Sequence, residues 1–108
     1  MGVLGLLAVA VALRCDSPNK PRSVTLTWQA PAQGGGVTVV GYNVYRRTLD
    51  SDSFVKIAEK VPGPLYDDRL VTRGRTYIYV VTAVDATGRE SRFSPETTAE
   101  VPSSNLLF

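Results

Sequence analysis

Residues 23–28 read SVTLTW, placing Val24, Leu26 and Trp28 on one side of an extended backbone and Ser23, Thr25 and Thr27 on the other. Strict alternation of this kind predicts a half-buried strand. The pattern returns at 37–47 (VTVVGYNVYRR), where Gly41 lets the chain bulge or bend before Tyr42. Shorter runs follow at 53–58 (SFVKIA) and 65–70. The longest is 75–85, with Tyr77, Tyr79, Val81 and Ala83 on one face and Thr76, Ile78, Val80, Thr82 and Val84 on the other. Residues 93–101 read as a last strand, with Pro95 near its start, where a missing N–H is tolerated. Between the runs stand Pro31 with Gly34, Gly35 and Gly36, then residues 50–53, Pro62-Gly63-Pro64 and residues 86–90. Extended runs separated by turns, with no helical period after residue 15, predict an all-β antiparallel sandwich.

Several short motifs in this order resemble a fibronectin type III domain over residues 23–102. Trp28 followed by Ala30-Pro31 is similar to that family's core tryptophan and proline-marked loop. Val39-Val40-Gly41-Tyr42-Asn43-Val44 resembles its hydrophobic-x-Gly-Tyr-x-Val strand. Val71 to Tyr77 (VTRGRTY) resembles its Leu-x-Pro-Gly-x-x-Tyr turn, with Val for Leu and Arg for Pro, and Ala83-Val84-Asp85 with Gly88-Arg89-Glu90-Ser91 resembles the residues framing its next loop. The resemblance implies an immunoglobulin-like sandwich with Trp28 and Tyr42 in the core. It also implies a tight turn at Gly74, and a buried Tyr77 whose hydroxyl bonds backbone a few residues upstream. The family's first strand has no evident counterpart in DSPNKPR, residues 16–22. That strand is short, missing, supplied by the apolar N-terminus, or completed by a neighbouring chain.

The N-terminal segment, residues 1–15, carries an apolar run over 3–13 that is too short for a membrane-spanning helix, which takes about 20 residues. Its length and the Ala10-Val11-Ala12 pattern suit a signal peptide, although no basic residue precedes it. Lipid attachment at Cys15 is disfavoured because Arg14 stands where a small residue is needed. The single cysteine excludes an internal disulfide. Residues 16–22 read as a linker and 103–108 as a C-terminal tail. The phrasing of the strands is similar to bacterial modules that follow an export signal, which implies a secreted or envelope location.

Twelve Lys and Arg against ten Asp and Glu give a net charge of +2, with both signs interspersed, which argues against nucleic acid as a partner. The chain has no histidine, the side chain most used for proton transfer near neutral pH. Asp67 and Asp68 are adjacent on a predicted strand and so point to opposite faces, reading as solvated acids beside Arg69 or Arg73. Asp50 and Asp52 lack the rest of a calcium loop. No catalytic residue, metal ligand or cofactor site is expected. The loop after Asp85 carries no Arg-Gly-Asp, so integrin-type recognition does not transfer from the family.

A binding surface is the remaining way to act. Asn43, Tyr45 and Arg47 alternate outward on one strand and lie beside Ile78, Val80 and Thr82 of the long strand, giving an apolar face with a charged rim. The loop residues Thr87, Arg89, Glu90 and Arg92 form a second candidate. These features point to a non-catalytic module or spacer, working through protein or glycan contact. The alternative is a structural subunit that self-associates by completing an open sheet edge.

Overall fold

The computed structural model describes residues 9–14, 23–30 and 38–103. Cys15, the linker at 16–22, the glycine loop at 34–36 and residues 104–108 lie outside the described residues. The strands are β1 (Val9–Arg14), β2 (Ser23–Trp28), β3 (Val39–Thr48), β4 (Val55–Val61), β5 (Leu65–Asp68), β6 (Thr76–Asp85) and β7 (Thr97–Glu100). They form two antiparallel sheets, ordered β1-β2-β5 and β4-β3-β6-β7. This is the all-β antiparallel sandwich that the alternation predicts, in the immunoglobulin-like form that the resemblance implies.

The first strand comes from the apolar N-terminus. β1 pairs along the whole of β2, from Val9 opposite Trp28 to Arg14 opposite Ser23. β2 is therefore the centre of its sheet, flanked by β5 on the other side.

Period-two alternation sets the core. Val24, Leu26 and Trp28 of β2 meet Tyr42 and Val44 of β3 and Tyr77, Tyr79, Val81 and Ala83 of β6, with Ala99 and Val101 closing one side. Trp28 and Tyr42 pack edge to face, ring centres 5.3 Å apart. Each fully buried large side chain contributes roughly 1.5–3 kcal/mol. The Trp28 indole N–H is buried without a hydrogen-bond partner among the described residues.

Two glycines are required by geometry. A methyl group on Gly41 would stand 3.0 Å from the Lys60 Cα, so β4 can lie against β3 only over a bare Cα. The register shifts on either side of this contact. Gly74 has φ +82°, a left-handed conformation that costs an L side chain strain, and turns the chain into β6. Just beyond it the buried Tyr77 hydroxyl accepts a hydrogen bond from the Thr72 N–H at 2.8 Å, the tyrosine-corner geometry.

Several boundaries differ from the alternation: β3 is Val39–Thr48 rather than 37–47, β5 ends at Asp68 rather than at residue 70, β6 starts at Thr76, and β4 and β7 start late. β4 runs from Val55 to Val61, so Ser53 and Phe54 precede it. β7 starts at Thr97 because the preceding residues meet β6 through side chains. The Ser91 Oγ accepts the Ala83 N–H and the Ser94 Oγ accepts the Val81 N–H, each at 2.9 Å. Their own N–H groups donate to the same two residues' carbonyls.

Candidate functional site

On the outer face of the larger sheet, the register sets Asn43 opposite Thr82, Tyr45 opposite Val80 and Arg47 opposite Ile78. The six candidate residues are thus brought together, but not as an open face. Ile78, Val80 and Thr82 are 4%, 1% and 1% exposed, and Asn43 is equally closed over. The aromatic residues on this side form a chain. Phe93 stands 5.1 Å from Tyr45 and 5.4 Å from Phe54, ring centre to ring centre, and the Arg47 guanidinium lies 5.2 Å over Phe54. Arg47 also donates to the Ser51 carbonyl at 2.8 Å and approaches Glu96 at 3.6 Å. What stays accessible is Phe93, about half exposed, with partly buried Tyr45, Phe54 and Arg47 around it.

Phe54 and Phe93 are missing from the candidates read from the sequence, which treated both as strand residues. An aromatic residue beside a turn, next to strands that already have a filled core, was the available signal.

Glu90 ties the loop after β6 to this face. Its Oε2 accepts from Asn43 Nδ2 and Thr82 Oγ1, each at 2.8 Å, and from the Tyr45 hydroxyl. Burial works against the Glu90 charge, but the hydrogen bonds from Tyr45, Asn43 and Thr82 outweigh it and hold the carboxyl below its ordinary value. The Tyr45 hydroxyl is pushed up to about 12, by burial first and then by the Glu90 carboxylate.

The remaining loop residues form the tip. Asp85 Oδ1 accepts from the Thr87 N–H, the Thr87 hydroxyl and the Arg89 N–H at 2.7–3.0 Å. Gly88, at φ +92°, completes the turn. These bonds, the Thr87 hydroxyl first, lower the Asp85 pKa. Thr87, Arg89 and Arg92 are exposed on a tip whose backbone is already fixed, so a partner would meet a preorganised loop.

The adjacent carboxylates separate as the strand geometry requires, with one correction. Asp67 faces outward, pairs with Arg69 at 3.1 Å and accepts from Thr25 Oγ1 at 2.9 Å. Asp68 is not solvated; it is 2% exposed, because its place opposite Val24 turns it into the sandwich. There it takes hydrogen bonds from Tyr79 at 2.6 Å, Arg46 at 2.8 Å and the Leu70 N–H at 3.1 Å. These contacts join the two sheets. Burial, reinforced by Asp68, raises the Tyr79 pKa far above its ordinary value. For Arg46 burial alone would disfavour the charge, and Asp68 more than restores it. Among the described residues no group of three or more His, Cys, Asp or Glu is placed to hold a metal ion. Asp50 is engaged by the Thr48 hydroxyl at 2.8 Å.

Comparison with known proteins agrees with this architecture. The chain is similar to an amylopullulanase of Thermoanaerobacterium saccharolyticum, 41% identical over 76 residues, covering 70% of this chain and 6% of that protein. It is also similar to an amylopullulanase of Thermoanaerobacter thermohydrosulfuricus, 47% identical over 60 residues, 56% of this chain and 4% of that one. The chain therefore spans only a small fraction of the curated relatives it matches. A crystal structure of an Fn3-like protein from Clostridium thermocellum superposes with a TM-score of 0.73 at 28% identity, covering 94% of this chain and 96% of that one. The sixth fibronectin type III domain of human fibronectin type III domain containing protein 3 shares the fold, with a TM-score of 0.73 at 18% identity, covering 100% of this chain and 93% of that one. The model of the fibronectin type III domain matches residues 10–100. Sheet order, core and match together establish that this chain belongs to the fibronectin type III domain family.

Proposed function

We propose that this chain is a non-catalytic binding or spacer module of a larger exported polypeptide, acting through protein–protein or protein–glycan contact. The observation that carries this reading is proportion. The chain matches amylopullulanases with good identity, yet accounts for only 6% and 4% of their lengths. A sandwich whose interior is filled by its own side chains leaves its surface for contacts. The half-exposed Phe93 beside Tyr45, and the fixed loop that carries Thr87, Arg89, Glu90 and Arg92, are the parts we assign to a partner.

The relatives' name makes pullulan the first glycan to test. The purified chain, incubated with pullulan, is expected to release no reducing ends. Affinity electrophoresis through a pullulan gel then sorts the contact types. Retardation that is lost in Phe93→Ser supports glycan contact at the outer face, and unretarded migration supports protein contact or spacing. Release of reducing ends by the chain alone overturns the reading.

Export belongs to the same proposal. Cleavage after Ala12 would remove residues 9–12, four of the six residues of β1. Intact mass of the protein from its native host reads the mature N-terminus. We expect β1 to be retained and the protein to be recovered outside the cytoplasm.

A further inference from the structure

β4 begins at Val55 opposite Arg46, so Arg47 and Thr48 at the end of β3 pair with β6 alone. A groove of about 470 Å³ opens there, within the roughly 300–1,000 Å³ typical of small-ligand sites. Its lining holds Arg46, Arg47 and Arg75 and no carboxylate. Arg46 is the fixed part. Its guanidinium lies 5.2 Å over the Tyr77 ring, and Nη1 makes both of its hydrogen bonds, to Asp68 at 2.8 Å and to the Leu70 carbonyl at 3.3 Å. The N–H groups on Nε and Nη2 have no acceptor among the described residues. That edge of a guanidinium is a planar fork, suited to the two oxygens of one carboxylate.

We propose that this groove binds an acidic peptide segment of a partner protein. One Asp or Glu carboxylate of the segment meets Arg46 and Arg75, and apolar side chains next to it rest on Leu70 and Val55. Charge complementarity carries the choice of ligand. Asp68 balances Arg46, and Glu96 approaches Arg47 at 3.6 Å. Arg75 is exposed and has no carboxylate within ion-pair distance among the described residues. Asp50 lines only the adjoining groove and is engaged by the Thr48 hydroxyl. One positive charge is left over, which a single carboxylate neutralises and a phosphate dianion exceeds. The apolar part of the lining selects the carrier. Leu70 is 81% exposed and Val55 62% exposed, and both border the same groove. A peptide can set a large apolar side chain beside its carboxylate, whereas an acidic polysaccharide sets hydroxyls there. Phe93 is not part of the lining, so the site stands whatever the outer face binds.

Titration of the isotope-labelled chain with the blocked peptide acetyl-Leu-Glu-Leu-Glu-Leu-amide, read by nuclear magnetic resonance, tests the proposal. The Arg46 and Arg75 Nε–H signals and the Leu70 and Val55 methyl signals are expected to move together, with a dissociation constant on the order of millimolar. Replacing Glu by Gln in the peptide, or Arg75→Gln in the protein, should each weaken binding about tenfold. Arg75 lies outside the Arg46–Asp68 pair, so its variant keeps the fold, and Leu70→Ser provides a second, uncharged variant that should also weaken binding. Phe93→Ser should bind the peptide as the parent does, which separates this site from the outer face. Signals that stay fixed throughout the titration overturn the proposal, as does equal affinity for the Gln peptide. So does equal movement with polygalacturonate at matched carboxylate concentration, since that assigns the groove to acidic glycans.

Discussion

Lys60 holds φ at 55°, and its Cα lies where a methyl group on Gly41 would come within 3.0 Å of it. The two residues share one strained crossing, and their substitutions should act oppositely. Lys60→Gly relieves the left-handed strain and should stabilise the fold by about 0.5 kcal/mol, while Gly41→Ala overpacks the crossing and should cost about 2 kcal/mol in urea melts. Equal effects from both would show that the contact is not strained. Arg46 makes the second residue-scale case. Its partner Asp68 is 2% exposed, so Arg46→Met strands a buried carboxylate, with an expected loss of about 3 kcal/mol. Tyr79→Phe removes a single donor and should cost about 1–2 kcal/mol. An Arg46→Met protein as stable as the parent removes the inter-sheet clamp from this account. The clamp was only half legible in the sequence. Arg46 shares the phase of Tyr42 and Val44, which turns it inward, but its charge and its neighbour Arg47 suggest solvent. Nothing local to Asp68 announces a partner that lies 22 residues away.

At the level of strands and loops, Glu90 fastens the loop after β6 to the sheet, and this attachment depends on pH at both ends of the scale. Its folded pKa lies below the ordinary 4.5, so its contribution is full above 4.5 and fades as acid drives the pH down through the lowered value. Tyr45 is raised, so its contribution is full below 10.0 and fades as the pH climbs toward about 12. Glu90→Gln should flatten the acid limb of the stability curve and leave the amides of β2 unaffected. An unaltered acid limb would assign the loss to other carboxylates. β1 supports a further prediction. A chain starting at Asp16 leaves one whole side of β2 without hydrogen bonds, so it should lose about 3 kcal/mol or more and self-associate on light scattering. The chain starting at Met1 should stay monomeric, and identical melting of the two would remove β1 from the fold. The strands themselves were readable because register demands clear alternation, most of all in β6. The starts of β4 and β7 were not, because Phe54 turns out over the sheet and Ser91 and Ser94 imitate backbone acceptors, which hydrophobic phase does not report.

The whole molecule is held by pairings distant in sequence: β2 joins β5 across some forty residues, and β3 joins β6 across roughly thirty to forty-five. Neither sheet can close before both layers meet. Unfolding should therefore be one transition, with Trp28 fluorescence and far-ultraviolet dichroism superimposable, and refolding should take milliseconds to seconds. Separated transitions would mean that the layers fold independently. At this scale the sequence is most informative about architecture, since Trp28, Tyr42, Gly74 and Tyr77 each occupy a place the sandwich needs. It is less informative about the outer face, because alternation says which side a residue takes and not what later folds over it. The serine contacts beside β6 have a consequence for crowding. Where Ser91 and Ser94 substitute hydroxyls for ladder carbonyls, the margin of the sheet stops being a strand, and only Thr97–Glu100 remains as regular rim. A foreign chain looking for a strip of free peptide groups along this margin finds four residues, too few to zip onto, so two copies brought together at this side of the larger sheet do not knit into one.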